Sequence, residues 1–429
     1  MASIPTETRV LRAHMLPVHR RAARSMRFRS LCSRARVAGA RLSDYTHLSV
    51  PQALIAQAPA EPRESARLLV LRREAGTIEH RRVRDLPELL GRGSWTAVIN
   101  NTRVDNCKLV GSWATPAAAT DQADEVVYLL ERDEASGGVG TATAAATAAT
   151  AATAATAATG NVSQTPSEMW LSSGHGLEEQ PAGARFILRD GGGLCGEVIE
   201  TRHDGTCDAL MRFTGPAGMS AEGLRDALLS RARVPLPPYV TSTEAESKYQ
   251  TAFARVGGSV AAPTAGLHLT DALMERLRSV GVGFEEVTLH VGYGTFGRVS
   301  ADKELDEHQM HRERLVLDGE VARRLAEIRR DPERRLLAVG TTACRTLESC
   351  AVADGGFLVG ERSTDIFIRP PYDFQAVDGL LTNLHVPGLT PLMLTSAFGG
   401  HELVLQAYEE AIEREYRFYS FGDAMLLLP

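Results

Sequence analysis

Residues 286–297 of this 429-residue chain read EVTLHVGYGTFG, and this stretch decides the fold class. Its first half, with Val287, Leu289 and Val291, has the alternating apolar content of a strand. The strand leads directly into Gly292-Tyr293-Gly294-Thr295, which has glycine and threonine where a buried segment would have large apolar side chains. In α/β proteins the ligand crevice lies outside the carboxyl ends of the strands. The stretch therefore predicts a strand of an α/β core that ends in a binding cleft.

Helices and strands alternate around this stretch. We predict helices over residues 224–233, 270–280, 318–330 and 402–416, and further strands over residues 335–340 and 364–368. This alternation predicts an α/β core with a mixed or parallel sheet and flanking helices. Between about residues 108 and 213 the pattern changes to short strands separated by Gly- and Asp-rich turns. That change predicts a small all-β barrel.

These patterns divide the chain into three folded parts. A first core part spans residues 42–107, an inserted β-barrel spans residues 108–219, and a second core part spans residues 220–429. Two domains are the default for a chain of this length. The Ala-Thr repeat over residues 141–160 has no large apolar side chain to bury, so we predict that it is a disordered surface loop.

The first 41 residues differ in composition from the rest. They hold ten arginines and one acidic residue, Glu7. Because the whole chain has a net charge of −6, the residues after this segment together have a net charge of about −15. Such a segment is typical of an organellar presequence, of an unstructured extension, or of a start codon placed too early. The acidity of the remainder argues against nonspecific coating of nucleic acid and leaves room for a local basic patch. We expect a cytoplasmic protein, or a mitochondrial one if the segment is a presequence.

Composition excludes several other classes of protein. A hydrophobic share of 44% with 23% charged residues is typical of a soluble globular enzyme. The chain contains no run of eighteen apolar residues, so we predict no membrane span. The six cysteines have no spacing typical of a zinc site, which favours reduced thiols in an intracellular compartment.

Two further motifs resemble the end of the opening stretch. Residues 257–268 read GGSVAAPTAGLH, and residues 308–313 read HQMHRE. Glycine and alanine let a backbone approach a ligand closely, and threonine and histidine supply polar contacts. Three such motifs within about sixty residues indicate one binding or catalytic cleft rather than three unrelated turns.

Two simpler interpretations of these motifs are weaker. The GxGxxG spacing of residues 292–297 should open a helix if it bound a dinucleotide, yet the RVSADK that follows lacks helical apolar periodicity. His308, His311 and Glu313 could share a metal if the two histidines lay on one helical face. A zinc site needs a further fixed ligand, and acid–base chemistry uses the same residue types, so we predict no metal.

Several motifs occur in a fixed order along the chain: Asn100-Asn101-Thr102-Arg103, residues 234–239, 258–268 and 287–292, Gly340-Thr341-Thr342 with Arg345 and Glu348, Thr382-Asn383 with His385, and Gly422-Asp423. In these motifs the chain closely resembles the S-adenosylmethionine:tRNA ribosyltransferase-isomerase family of queuosine biosynthesis. The resemblance implies an α/β core formed by both ends of the chain, with a β-barrel inserted after the Asn-Asn-Thr-Arg segment. It also implies a reaction in which S-adenosylmethionine gives up its ribosyl group to 7-aminomethyl-7-deazaguanine in a tRNA anticodon. The products are epoxyqueuosine, adenine and methionine.

The resemblance also suggests which residues form the site. We expect His308 and His311 to be the principal proton carriers, with Glu313, His268 and His290 as further catalytic candidates. The expected substrate-binding residues are Asn101, Arg103, Thr264, Gly266, Gly292, Tyr293, Gly294, Thr295, Thr341, Thr342, Arg345, Asn383, His385 and Asp423. Arg103 and Arg345 could each hold the methionine carboxylate or an RNA phosphate. S-adenosylmethionine is consumed, so no cofactor is expected, and we expect a monomer that binds tRNA and no membrane.

The chain departs from the family pattern at a few positions. Leu269 and Leu384 replace phenylalanines, Tyr293 replaces a small residue, and residues 105–107 replace an apolar, proline-containing segment. A second hypothesis is therefore a catalytically altered relative that binds S-adenosylmethionine or RNA without completing the reaction. A conventional methyltransferase is disfavoured, because no glycine-rich loop follows the first strand of a doubly wound sheet.

Overall fold

The computed structural model describes residues 42–91, 94–114, 125–132, 166–174, 176–202, 207–292, 308 and 310–429. The predicted extension at residues 1–41 and the Ala-Thr repeat at residues 141–160 lie outside these described residues, as do Tyr293, Gly294 and Thr295.

The described residues form strands and helices in the following order along the chain. The strands are β1 (Arg67–Arg72), β2 (Thr77–Arg82), β3 (Ser94–Asn100), β4 (Thr102–Val104), β5 (Lys108–Trp113), β6 (Glu125–Arg132), β7 (Ser167–Ser173), β8 (Arg185–Leu188), β9 (Cys195–Thr201), β10 (Ala209–Thr214), β11 (Val256–Ser259), β12 (Gly283–Leu289), β13 (Glu313–Leu317), β14 (Arg334–Val339), β15 (Gly360–Thr364), β16 (Gly379–Asn383) and β17 (Ala424–Leu428). The α-helices are α1 (Ser43–Thr46), α2 (Leu86–Leu90), α3 (Ala221–Arg231), α4 (Asp271–Ser279), α5 (Gly319–Arg330), α6 (Thr341–Cys350), α7 (Thr390–Gly399) and α8 (His401–Glu413). A 3-10 helix at Thr264–His268 lies in the second motif.

The core is a nine-stranded mixed sheet with the order β15-β13-β12-β3-β14-β16-β17-β1-β2. Its centre is parallel: β12 pairs with β3, β3 with β14 and β14 with β16 in parallel register. The apolar residues at the centre of these strands, such as Val98, Ala338 and Leu380, are fully buried, as expected where both faces of a sheet are covered. The predicted α/β core with a mixed sheet is confirmed. Because the four parallel strands run in one direction, their carboxyl ends meet at one edge.

A second unit is a closed six-stranded barrel with the order β10-β7-β6-β5-β8-β9, in which every neighbouring pair is antiparallel. Phe186, Phe213 and Met211 are fully buried inside it, and helix α3 packs Leu224 against the same cluster. The prediction of an all-β barrel in a fold with an α/β core is therefore also confirmed.

One local prediction needs correction. The strand predicted over residues 364–368 is wrong, because β15 ends at Thr364. Its only partner among the described strands, β13, begins at Glu313, which pairs with Thr364, so no ladder exists beyond that point.

Helix α6 is tied to the sheet by a buried carboxylate. Glu348 accepts hydrogen bonds from the backbone N–H groups of Gln375 at 2.8 Å, Ala376 at 2.9 Å and Val377 at 3.1 Å. These residues lead into β16, whose far end carries site residues. The contact therefore fixes the position of α6 relative to the sheet.

Among the described residues, no helix is both long enough and apolar enough to cross a membrane.

Replacing Glu348 by glutamine should lower the free energy of unfolding by about 2–4 kcal/mol, because an amide NH₂ would face backbone donors that now share a carboxylate. Urea denaturation measures this loss. Glu327→Gln, at an exposed position on α5, is the matched control and should change the unfolding free energy by less than about 0.5 kcal/mol. Equal effects of the two variants would contradict the structural role of Glu348.

Candidate active site

The predicted site residues gather at the edge of the sheet where the four parallel strands end. Asn101 follows β3, His290 follows β12, Thr341 follows β14 after one glycine, and Asn383 ends β16. Because β13 runs antiparallel to β12, its first residue Glu313 lies at the same edge. A single topological rule, that parallel strands end together, thus brings together residues distant in sequence.

One pocket at this edge holds six of the predicted residues, and we call it the Arg345 pocket. Its lining consists of His308, Met310, His311, Glu313, Thr341, Thr342, Arg345, Ile366, Phe367, Ile368, Thr390, Pro391 and Leu394. One side is polar and charged, and the other is apolar. The pocket joins the third motif to the start of helix α6.

A buried ion pair forms the inner end of this pocket. Glu313, which is 5% exposed, accepts a hydrogen bond from Arg345 Nη1 through one carboxylate oxygen and from the backbone N–H of Gly292 at 3.2 Å through the other. The carboxylate therefore links the end of the opening stretch to helix α6. Separating the two side chains would leave one buried charge uncompensated. The pair therefore holds Glu313 and Arg345 in a fixed relative position.

The two histidines of the third motif stand further out. His308 is half-buried, with its ring centroid 5.2 Å from that of Phe367, and His311 is exposed. Residues 310–312 are irregular and lead into β13, so the histidines do not share the helical face considered for a metal site. The pocket thus runs from a buried guanidinium to an accessible imidazole.

His268 occupies a neighbouring buried cluster. The 3-10 helix Thr264–His268 lies over the ends of β14 and β16, where the Cβ of Ala265 approaches Gly340. His268 is 5% exposed, its Nε2 has no partner among the described residues, and Asn383 lies beside it. Burial lowers the pKa of His268 to about 4, although Asp423 opposes the shift. His268 is therefore neutral near pH 7.

Asp423 and His385 use their polar atoms within the protein. Asp423 accepts bonds from the backbone N–H and Nε of Arg67, at 2.8 and 3.1 Å, and from the backbone N–H of Arg417 at 2.8 Å. His385 Nε2 lies 2.6 Å from the hydroxyl of Thr382, and burial lowers the pKa of His385 to about 3. Both side chains hold the loops that surround the site.

Asn101 and Arg103 lie on the far side of the β12 end, outside the Arg345 pocket. Asn101 donates to Glu286 at 3.0 Å and accepts from Thr288 at 2.7 Å, which satisfies both ends of its amide. Arg103 is 55% exposed and pairs with Asp105 at 3.2 Å. Of the two arginines predicted to bind an anion, only Arg345 lies in the pocket.

Two motif glycines make room for protein rather than for a ligand. Gly258 has a φ of +111°, and a Cβ there would come within 3.0 Å of His290 Nδ1. A Cβ on Gly266 would lie 2.7 Å from the ring of Phe253. His290 is 8% exposed, and burial together with Arg314 lowers its pKa. The second motif thus packs closely around the imidazole that ends the opening stretch.

Sequence reasoning missed the apolar half of the pocket. Ile366, Phe367 and Ile368 follow β15, and Pro391 and Leu394 belong to the first turns of α7. The Ile-Phe-Ile run is apolar in sequence and predicts a strand, which hides its place in the pocket wall. Ser259 was also missed as a connector: its hydroxyl accepts a bond from Val291 N–H at 2.8 Å and donates to Ala261 O at 3.1 Å.

No group of three or more His, Cys, Asp or Glu side chains within the described part of the chain is arranged to hold a metal ion.

The family model described as queuosine biosynthesis protein matches residues 42–427. The chain belongs to this family, and the resemblance inferred from the motifs is confirmed.

Many curated relatives match along almost their whole length. A protein of Symbiobacterium thermophilum is 41% identical over 390 residues, which covers 90% of this chain and 100% of that protein. A protein of Desulfitobacterium hafniense is 39% identical with the same coverage. Both are named S-adenosylmethionine:tRNA ribosyltransferase-isomerase. The crystal structure of S-adenosylmethionine tRNA ribosyltransferase from Thermotoga maritima is 28% identical, with a TM-score of 0.44, and covers 89% of this chain and 99% of that one.

The burial of neutral His268 makes a prediction about acid stability. The unfolded chain takes up a proton at His268 below about pH 6.5, and the folded chain does so only near pH 4. The folded state therefore keeps its full stability above pH 6.5 and loses part of it, relative to the unfolded state, as pH falls toward 4. The difference in unfolding free energy between wild type and His268→Gln should therefore shrink by about 2 kcal/mol from pH 7.5 to pH 5. Urea titrations at both pH values measure it, with exposed His47→Gln as the control. A difference that is constant with pH would contradict the buried neutral state.

Proposed function

We propose that this protein transfers the ribosyl group of S-adenosylmethionine to 7-aminomethyl-7-deazaguanine at the wobble position of a tRNA and isomerises it, giving epoxyqueuosine, adenine and methionine. The relatives named for this type of activity are 39–41% identical over nine-tenths of the chain. The observation that carries the proposal is the Arg345 pocket, where two histidines, a guanidinium and an apolar wall meet at the ends of parallel strands.

The reaction requires two proton transfers in a confined space. The sulfonium acidifies the adjoining ribose carbon, and a base removes that proton. A carbon–carbon double bond then forms as the ring C–O bond at the next carbon breaks. The ring oxygen becomes a carbonyl as it expels adenine, which gains a proton from an acid. The opened sugar then reacts with the aminomethyl nitrogen, and methionine departs as the epoxide forms. Imidazoles titrate near neutrality, which suits both proton transfers. His308 and His311 supply them, because both line the pocket and neither is deeply buried.

The gradient of burial along the pocket suggests how the substrates enter. The S-adenosylmethionine occupies the deep end beside Arg345, and the modified base enters at the exposed end beside His311. Enzymes that act on a base commonly take it out of the stack into such a pocket. The apolar wall around Phe367 excludes water from reactive intermediates.

The remaining motif residues act by positioning. Glu313 holds Arg345 and the Gly292 backbone, and its two oxygens are both engaged. Asn101 anchors β12 through Glu286 and Thr288, and Asp423 fixes the loop before β17. His290 packs against the backbone at Gly258. Because S-adenosylmethionine is itself consumed and the proton transfers need only side-chain acids and bases, we propose that no cofactor is used, and we propose that the protein acts as a monomer. The named relatives are bacterial proteins, which supports a cytoplasmic location.

The direct test incubates the protein with S-adenosylmethionine and tRNA that carries the aminomethyl deazaguanine. Free adenine should appear in equal amount to epoxyqueuosine, as measured by chromatography and nucleoside mass spectrometry. The same tRNA with plain guanine is the control and should form no epoxyqueuosine, because it lacks the nucleophilic amine. Methylated tRNA, or no epoxyqueuosine with the modified tRNA, would sink the proposal.

Replacing His308 or His311 by alanine should lower turnover about 10²- to 10⁴-fold, the usual scale for a lost acid or base. Binding of S-adenosylmethionine and the melting temperature should change little, since neither ring is deeply buried. His47→Ala, at an exposed position outside the pocket, should keep full turnover. Undiminished turnover in both pocket variants would assign the proton transfers elsewhere.

A further inference from the structure

Arg345 has one edge of its guanidinium in use and one edge unused. Its Nη1 donates to Glu313. Its Nε and Nη2 are buried and have no hydrogen-bond partner among the described residues. In a guanidinium these two nitrogens project their N–H bonds in parallel on one side, which is the geometry that receives a carboxylate through two bonds. The side chain is only 10% exposed. A buried pair of charged donors without an acceptor is costly, so this edge indicates a ligand.

The start of helix α6 adds to the same feature. Thr341 and Thr342 precede Arg345 by four and three residues, so the three side chains share one face of the helix. All three line the pocket. The N-cap residue Gly340 has no side chain to accept from the first turn, and the hydroxyl of Thr342 is buried without a partner in the described chain. First-turn N–H groups and the helix dipole favour an anion at this place.

We infer that this receptor, formed by the Nε–Nη2 edge of Arg345 and the first turn of α6, binds the carboxylate of the methionine part of S-adenosylmethionine. The inference rests on the proposed function and decides between two anions. A phosphate of the tRNA backbone is flanked by sugars on both sides, and it cannot bring both neighbours into a place where Arg345 is nine-tenths buried. A carboxylate at the end of a slender chain can reach it.

The rest of the pocket fits the same occupant. Met310, Ile366 and Leu394 belong to its apolar wall. The methylene groups next to a sulfonium are apolar, and their burial against such a wall is favourable. With the carboxylate at Arg345, the sulfur and ribose extend outward toward His308 and His311, where the proton transfers take place. One orientation of the substrate thus satisfies the anion receptor, the apolar wall and the two histidines.

The role of Glu313 also follows. It keeps Arg345 in one rotamer through Nη1, which leaves the opposite edge free for the ligand. The same carboxylate holds the Gly292 backbone. Glu313 is therefore a positioning residue for the carboxylate receptor, and it orients Arg345 before the substrate arrives.

Titration calorimetry with S-adenosylmethionine and with its decarboxylated analogue tests the inference on the unaltered protein. The analogue keeps the sulfonium, ribose and adenine, so any difference reports on the carboxylate. We expect it to bind about 100-fold more weakly, as for the loss of two charge-assisted hydrogen bonds. Equal affinities would overturn the inference. Inorganic phosphate should compete only weakly, and strong competition together with equal affinities would indicate an RNA phosphate instead.

The Arg345→Lys variant tests whether Arg345 is the residue that binds the carboxylate. Lysine keeps a positive charge opposite Glu313 but lacks the parallel pair of donors, so the ratio of the two affinities should fall to about tenfold or less. Arg323→Lys, an exposed residue of α5 that pairs with Glu327, should keep the full ratio. An unchanged ratio in the Arg345 variant would assign the carboxylate to another residue.

Adenine release in the same preparations separates this inference from the proposed function. Turnover without discrimination between the two ligands would refute the carboxylate receptor alone. Discriminating binding without adenine release would refute the proposed reaction and leave the receptor supported.

Discussion

The site depends on one buried carboxylate. Glu313 stands at the first position of β13 and engages both a backbone N–H at the end of the opening stretch and the guanidinium of helix α6. Without it, Arg345 would be a buried charge without a counterion, and the chain after β12 would lose its anchor. A buried ion pair is a weak source of net stability but a strong constraint on geometry. Here the ion pair with Glu313 orients the Nε–Nη2 edge of Arg345, which has no hydrogen-bond partner among the described residues.

The sheet supplies the second constraint. Four parallel strands end at one edge of the sheet, so the residues that follow these strands lie close to one another. Glu348 fixes the helix that starts there, and Asp423 fixes the neighbouring loop. These carboxylates accept several bonds each and have little capacity for chemistry. Many of the family motifs are thus structural supports, and a smaller set, around Arg345 and the two outer histidines, faces the substrate.

Much of this arrangement could be predicted from local patterns. An apolar run that ends in glycine and threonine predicts a strand that ends at a cleft, and the structure has β12 ending at Leu289 with His290 beyond it. The change to short strands near residue 108 predicted the barrel for the same reason, since periodicity is a local property. Motif residues distant in sequence met because strand direction determines where the ends lie.

The rest depended on contacts between distant residues, which no local pattern encodes. Ile366 and Phe367 look like a strand, and only the length of β13 shows that the ladder with β15 ends at Thr364, before these residues. Gly258 and Gly266 suggest space for a ligand, whereas their neighbours are His290 and Phe253. Likewise, Asn101 looks available until its bonds to Glu286 and Thr288 are known. The same residue types serve a ligand or a scaffold, and the difference lies in what packs against them.

The central claim is that the cleft moves the ribosyl group of S-adenosylmethionine and not its methyl group. The most direct measurement uses two preparations of S-adenosylmethionine, one labelled in the ribose and one in the methyl group, each incubated with the protein and tRNA that carries the aminomethyl deazaguanine. The account predicts ribose label in the tRNA, and methyl label that stays in free methionine. Methyl label in the tRNA, with adenine still attached to its sugar, would contradict it.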